Sequence, residues 1–262
     1  MKIVVTVKLV PDTNADKRID PGTKRLVRSG VENVLNPFDE YAIEAALQLR
    51  EKRNDGSTVT IFTMASESGK EIVRKALAMG ADDAVMLTDA KLEGSDVSVT
   101  AHAMAAALKK TGFDLILCGT QSTDAITGEV PGFLAELLGV PGLTYVRKIE
   151  SEDATIKAQR ETDTGYIEVS VSVPALVSVT KAINEPRYPS LKGIMGAKKK
   201  EIKVLSLADV DFTRASGNDG AKTELLELAT PPARQKGRVV TASDGAEGAS
   251  AILEFLREKK LI

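Results

Sequence analysis

The sequence predicts an α/β fold: a three-layer core around a parallel sheet, then a β-rich second part and an extended C-terminal arm. Three observations lead there. Strand-length apolar runs alternate with helical patterns up to Gly139, the order that builds a parallel sheet covered on both faces. The first run, Ile3 to Val7, is β-branched throughout, as burial on both faces favours. From Gly142 onward, strands follow one another with few helices between them.

Each element has its own reason. After the first strand, the polar stretch from Asp12 to Glu32 holds Pro21-Gly22 and the apolar pair Leu26-Val27. It reads as an excursion with at most a short hairpin. Asn36-Pro37-Phe38-Asp39-Glu40 then opens a helix. Asn36 can cap it, Pro37 suits a first turn where its missing N–H would be unpaired, and the two acids favour the positive dipole end. Ala42, Ala45, Ala46 and Leu49 form its buried stripe. Thr58 to Met64 is a strand, Glu71 to Met79 a helix closed by Gly80, and Ala84 to Leu87 a short strand. Ser95 is placed to cap a helix in which Val97, Thr100, Ala101, Met104 and Leu108 recur at helical spacing up to Gly112. Phe113 to Cys118 is a buried strand, and Thr127 to Leu138 a helix stopped by Gly139.

Leu143 to Glu150, Ala154 to Arg160 and Tyr166 to Val173 read as strands. In the third, Ile167, Val169, Val171 and Val173 alternate with polar residues, the pattern of a half-exposed strand. Pro174 leads into a last apolar strand, Leu176 to Thr180. Around Leu191, Pro186 and Pro189 restrict the backbone and hold it away from helix. Two parts are expected, 1–205 and 206–262. Asp209 to Ala249 is rich in Gly, Ala, Ser, Asp and Pro, too polar for a core, and an amphipathic helix from Ala249 to Lys260 closes it.

Composition narrows the function. Lys and Arg number 35 against 37 Asp and Glu, and aromatics are 4% with no Trp. Balanced charge and few aromatics argue against nucleic acid as a partner. The single Cys118 forbids an internal disulfide and fits a reducing compartment. With His102 the only histidine, the usual zinc ligand sets and most nucleophile–base arrangements are out of reach. No apolar run approaches the ~20 residues that span a bilayer. The expectation is a cytoplasmic protein that is not membrane-embedded. His102 reads as a partly exposed polar residue, Asp82-Asp83 as a turn and Cys118 as a small core residue.

Two segments carry chemistry. Gly119-Thr-Gln-Ser-Thr-Asp-Ala-Ile-Thr-Gly128 joins a buried strand to a helix at the carboxyl end of a parallel sheet, where open α/β folds bind ligands. Its glycines, hydroxyls and following helix suit a phosphate, although it is neither a Walker A motif nor a G-x-G-x-x-G fingerprint. Composition alone leaves it equally an ordinary connecting loop. The second segment, Asn184 to Lys200, sets Tyr188, Leu191, Ile194 and Met195 among Lys181, Arg187, Lys192 and Lys198 to Lys200. It is either a solvated charged face or a docking patch for an acidic protein surface.

Taken in order, V-K-L-V-P-D-T (Val7 to Thr13), N-P-F-D-E (Asn36 to Glu40), A-L-A-M-G-A-D (Ala76 to Asp82) and C-G-T-Q-S-T-D (Cys118 to Asp124) resemble landmarks of the electron transfer flavoprotein β subunits. N-E-P-R-Y-P-S-L-K-G-I-M (Asn184 to Met195), followed by A-K-K-K, is similar to that family's signature. The resemblance implies an adenine nucleotide hydrolase-like core and a heterodimer whose α subunit holds most of one FAD, with the C-terminal arm packing on α. It implies an electron carrier rather than an enzyme, passing electrons from acyl-CoA or related dehydrogenases to a quinone oxidoreductase.

The family's AMP positions fall on Thr6, Lys8, Asn36, Ala65, Gln121, Asp124, Thr127 and Gly128. Thr13, Phe38 and Glu161 correspond to residues near FAD. The partner loop, 184–196, brings Arg187, Tyr188, Leu191, Lys192, Ile194 and Met195, with Leu191 as anchor. One branch of the family binds a second FAD in place of AMP and bifurcates electrons from NADH. Its nucleotide loop reads D-G-D-T-x-Q-[VT]-G-P, whereas Asp124 to Pro131 lacks the inner Gly-Asp and the Gln, which favours AMP. A stand-alone nucleotide-binding module of the universal-stress type shares the core but needs neither the basic loop nor the arm.

Overall fold

The computed structural model describes all residues except 16, 29, 230, 231 and 233–236. Two units are distinguishable, Met1–Leu226 and Glu227–Ile262. The first contains β1 (Lys2–Thr6), β2 (Leu9–Pro11), β3 (Asn33–Leu35), α1 (Pro37–Arg53), β4 (Thr58–Met64), α2 (Lys70–Met79), β5 (Asp83–Leu87), α3 (Val97–Thr111), β6 (Leu115–Gly119) and α4 (Val130–Leu138). It continues with β7 (Gly142–Glu152), β8 (Thr155–Thr162), β9 (Gly165–Ser172), β10 (Ala175–Val179), α5 (Leu191–Ala197), β11 (Ile202–Leu205) and the single turn α6 (Gly217–Gly220). The second unit contains α7 (Gly245–Glu258).

Among the described residues, nine strands form one sheet in the order β11-β5-β4-β1-β6-β10-β7-β8-β9. It is parallel as far as β7 and antiparallel through β8 and β9. The β-branched opening of the chain occupies the centre: Val5 pairs with Ile61 on one side and Leu117 on the other. Ile3 and Val5 pack with residues of α1 and α2, while Val4 packs with residues of α3 and α4. Both faces of β1 are therefore dry, which is why no polar residue interrupts Ile3 to Val5. Each such side chain, fully removed from water, contributes roughly 1.5–3 kcal/mol. β2 and β3 form a small antiparallel ribbon that closes the 12–32 excursion at its base.

Several expectations change. The helix expected from Thr127 begins at Val130 instead, because Ile126 and Gly128 take positive φ values of 58° and 65°, which a helix cannot continue through. Pro131 then sits in the first turn. The cap of α3 is Asp96 rather than Ser95, its carboxylate accepting from the Val99 N–H at 2.9 Å. Leu191 lies in a helix, not outside one: the Ser190 hydroxyl accepts from the Gly193 N–H at 3.0 Å and starts α5 just after Pro189. β11, pairing with β5 at the sheet edge, was not anticipated.

The expected division at 205/206 moves to 226/227. Leu207, Val210 and Phe212 pack against the α3–α4 side of the core, and the Asp96 carboxylate accepts from the N–H groups of Lys222 and Thr223. No helix among the described residues is long and apolar enough to cross a membrane.

Gly119 ends β6 where a side chain has no room. A Cβ there would lie 2.5 Å from Asp39 Oδ1 and 2.7 Å from the Phe38 carbonyl carbon. Gly119→Ala is expected to destabilise the chain by about 1–3 kcal/mol. Thermal unfolding reads this directly, and an unchanged midpoint would show that β6 and α1 can separate freely.

Candidate functional site

The sheet order places a crevice before any side chain is considered. From β1 the chain moves to β4 and β5 on one side, then returns to β6 on the other. The connections leaving β1 and β6 therefore diverge, and the gap outside their carboxyl ends is where open α/β sheets take ligands. Lys8 follows β1 and the 120–129 loop follows β6.

Polar contacts knit these segments together. The Asn36 N–H donates to the Lys8 carbonyl at 3.0 Å. Asn36 stands at the cap position of α1, yet its side chain does not cap: Nδ2 donates to the Gln121 carbonyl at 2.9 Å and Oδ1 accepts from the Thr123 N–H at 3.2 Å. The Lys8 N–H donates to Asp39 Oδ2 at 2.8 Å, and Lys8 Nζ donates to Ser122 Oγ at 3.1 Å and Asp124 Oδ1 at 2.8 Å. Arg28, from the excursion, reaches the other Asp124 oxygen at 2.6 Å.

Asp124 is the centre of this group, with its side chain only 1% exposed. Burial alone would raise its pKa. The charge and hydrogen bond of Lys8, with hydrogen bonds from Ser122 and Arg28, outweigh burial and hold the carboxyl well below the usual carboxylate range. Asp39 shows the opposite balance. Burial dominates the Lys8, Asn36 and Gly119 hydrogen bonds and pushes it up to about 7. Burial likewise pushes Cys118 up to about 12, which leaves it an inert core thiol. The Thr123 hydroxyl oxygen is buried with no hydrogen-bond partner among the described residues. An orphaned hydroxyl beside a fixed carboxylate is a group that a bound ligand could satisfy.

The structure thus joins Lys8, Asn36, Gln121 and Asp124 directly. Thr6 lies at the end of β1, buried beside Cys118, and Ala65 follows β4, its N–H donating to the Leu87 carbonyl. Thr127 and Gly128 belong to the loop, not to a helix N-terminus, so the helix-dipole argument for their N–H groups fails. Phe38 borders the crevice through its backbone beside Gly119. Thr13 is exposed in the excursion, and Glu161 pairs with Tyr166 across β8 and β9, with no hydrogen bond to the Lys8–Asp124 group among the described residues. Tyr145 was missed: it has a positive φ of 59°, and its hydroxyl lies 3.7 Å from where a Gly128 Cβ would stand. Arg28 was missed as well.

The second candidate segment is exposed and rigidly placed. Tyr188 is 95% exposed, Leu191 76% and Met195 63%. Beneath them, a Cβ on Gly193 would lie 2.3 Å from the Ala78 carbonyl oxygen, so α5 lies directly on α2. Arg74 donates to the Ala197 and Lys200 carbonyls at the far end of α5. Arg187 is not a free surface charge. It donates to Glu44 at 2.7 and 3.0 Å and to Glu51 at 2.6 and 3.0 Å, and these bonds raise its own pKa.

A family model for the electron transfer flavoprotein domain matches residues 23–210. The chain is 43% identical to the electron transfer flavoprotein subunit beta of Mycobacterium tuberculosis, with 99% of each chain covered. It is 41% identical to that of Megasphaera elsdenii and 37% identical to the caffeyl-CoA reductase-Etf complex subunit CarD of Acetobacterium woodii, each over the full length of both chains.

The buried Asp39 makes stability depend on pH in a defined direction. Its carboxyl titrates near 3.8 in an unfolded chain and near 7 in the folded one, so its contribution is complete below about 4 and is lost as pH rises through 7. Compared with Asp39→Asn, the native chain is expected to lose stability between pH 4 and 8, on the order of a few kcal/mol. Urea unfolding of both chains across that range measures it, and a constant difference would place Asp39 in contact with water.

Proposed function

The chain belongs to the electron transfer flavoprotein family as a relative of its β subunits, and we propose that it works as an electron carrier in a heterodimer whose α subunit holds most of one FAD. The bound flavin supplies the redox chemistry. The residues of this chain position and shield: Thr13, Phe38 and Glu161 are proposed to face the flavin. α7 presents Ile252, Leu253 and Phe255 on a helix none of whose residues is buried, a face suited to packing on α. Electrons are proposed to come from dehydrogenases of the acyl-CoA type, as in fatty acid β-oxidation, and to leave to a quinone oxidoreductase. A cytoplasmic setting fits the single buried cysteine.

The observation that carries the reading is the crevice at the switch point, where two cations meet a buried carboxylate whose sequence neighbour Thr123 has an unpartnered hydroxyl. We propose that it holds an AMP without redox role, bounded by Thr6, Lys8, Asn36, Ala65, Gln121, Asp124, Thr127 and Gly128. A second reading is favoured by the likeness to the Acetobacterium CarD subunit: a second FAD in the same crevice, with electron bifurcation from NADH. Extraction of the purified heterodimer, with FAD and AMP counted per dimer, separates them. One FAD and one AMP support the carrier; two FAD and no AMP support bifurcation.

Docking is proposed to use α5 and the residues before it. Tyr188, Leu191, Ile194 and Met195 form an apolar cluster, and Lys192 lies exposed among them. Arg187 is tied to Glu44 and Glu51, so its charge is already paired within this chain. Leu191→Ala is expected to keep normal FAD content but to weaken docking by roughly 1.5–3 kcal/mol. Stopped-flow reduction of the flavin by a reduced acyl-CoA dehydrogenase, below saturation, reads the effect. Charge reversal at Lys192 should act on association rate and its salt dependence instead. Native rates for Leu191→Ala would remove the anchor.

A further inference from the structure

Arg28 lies in the excursion between β2 and β3, and its guanidinium reaches the Asp124 carboxylate in the crevice. Its Nη2 donates to Asp124 Oδ2 at 2.6 Å, while Lys8 Nζ donates to Asp124 Oδ1 at 2.8 Å. One carboxylate thus faces two cations, and the group keeps one unit of positive charge.

That excess is directed outward. The Asp124 side chain is 1% exposed, whereas those of Lys8 and Arg28 are 42% and 47% exposed. An exposed ion pair adds little stability and does not require its carboxylate to be sealed away. Here the buried carboxylate instead holds two cationic heads in register, with their remaining N–H groups accessible. Beyond Asp124, the Arg28 guanidinium makes only a long 3.4 Å contact to the Leu26 carbonyl among the described residues. Thr123, whose hydroxyl lacks a partner, is the residue before Asp124. A guanidinium with donors left over and a lysine head, held on one carboxylate, suit a phosphate, whose oxygens accept several charge-assisted hydrogen bonds at once.

We infer that Arg28 is a phosphate-binding residue of the crevice, acting with Lys8 on the anionic group of the nucleotide. The inference rests on the nucleotide reading given above and adds to it a residue that comes from outside the nucleotide loop. If Arg28 only tied the excursion to that loop, its loss would affect charged and uncharged ligands alike.

The test uses the full-length chain in complex with its α subunit, freed of bound nucleotide, in equilibrium dialysis against AMP and against adenosine. The native complex should bind AMP more tightly. Arg28→Gln should lower AMP affinity roughly ten- to a hundredfold, as loss of a charge-assisted hydrogen bond does, and leave adenosine unchanged. Arg28→Lys, keeping the charge but not the fork, should recover part of the preference. An AMP-to-adenosine ratio unchanged in Arg28→Gln overturns the role of Arg28 while leaving the nucleotide site standing. A native complex that binds neither ligand overturns both.

Discussion

The constraint on which the rest of the structure depends is the position of β1. Because the chain first builds to one side of this strand and then to the other, the connections leaving β1 and β6 part at their carboxyl ends. A crevice follows from that order whatever its lining. The lining then answers the topology: Lys8 leaves β1, Asp124 follows β6, and the two meet across 116 residues of sequence. Asn36 serves the same junction by spending its side chain on the loop instead of on its own helix. The cap interaction it forgoes is worth about 1 kcal/mol in an average helix, which the loop contacts offset.

The proposed docking segment rests on a different arrangement of the same kind. Glycine at position 193 lets α5 touch the backbone of α2, where Arg74 donates to the Ala197 and Lys200 carbonyls at its far end, and Arg187 before it is tied to the core carboxylates Glu44 and Glu51. Apolar side chains can then stand exposed without a mobile backbone beneath them. A partner that buries them need not order the segment first, so more of the burial energy appears as affinity. The charged residues of the segment divide accordingly: Arg187 works inward, while Lys192 remains at the surface.

Much of the core was legible in the sequence because its signal is local. Ile3 to Val7 read as a strand buried on both faces and Thr58 to Met64 as a strand, and Gly80, Gly112 and Gly139 marked the ends of helices where the structure has them. What escaped was set at a distance. Thr127 looked like the start of a helix, but Ile126 and Gly128 turn the backbone away until Val130. Arg187 looked like a steering charge because its partner, Glu44, lies 143 residues earlier. Arg28 is 96 residues from Asp124, in a stretch with no recognisable motif. β11 is four residues long with a charge inside, too short a pattern to register.

The central claim is that an adenine nucleotide occupies the crevice between the connections of β1 and β6. Photolabelling of the intact heterodimer with azido-AMP, followed by mapping of the modified peptides, tests it most directly. The account predicts labels confined to the segments that border the crevice, 6–8, 28, 36–38, 65 and 119–129, with competition by unlabelled AMP. Labels found instead in 184–196 or in 227–262, or labels that AMP fails to displace, would contradict it.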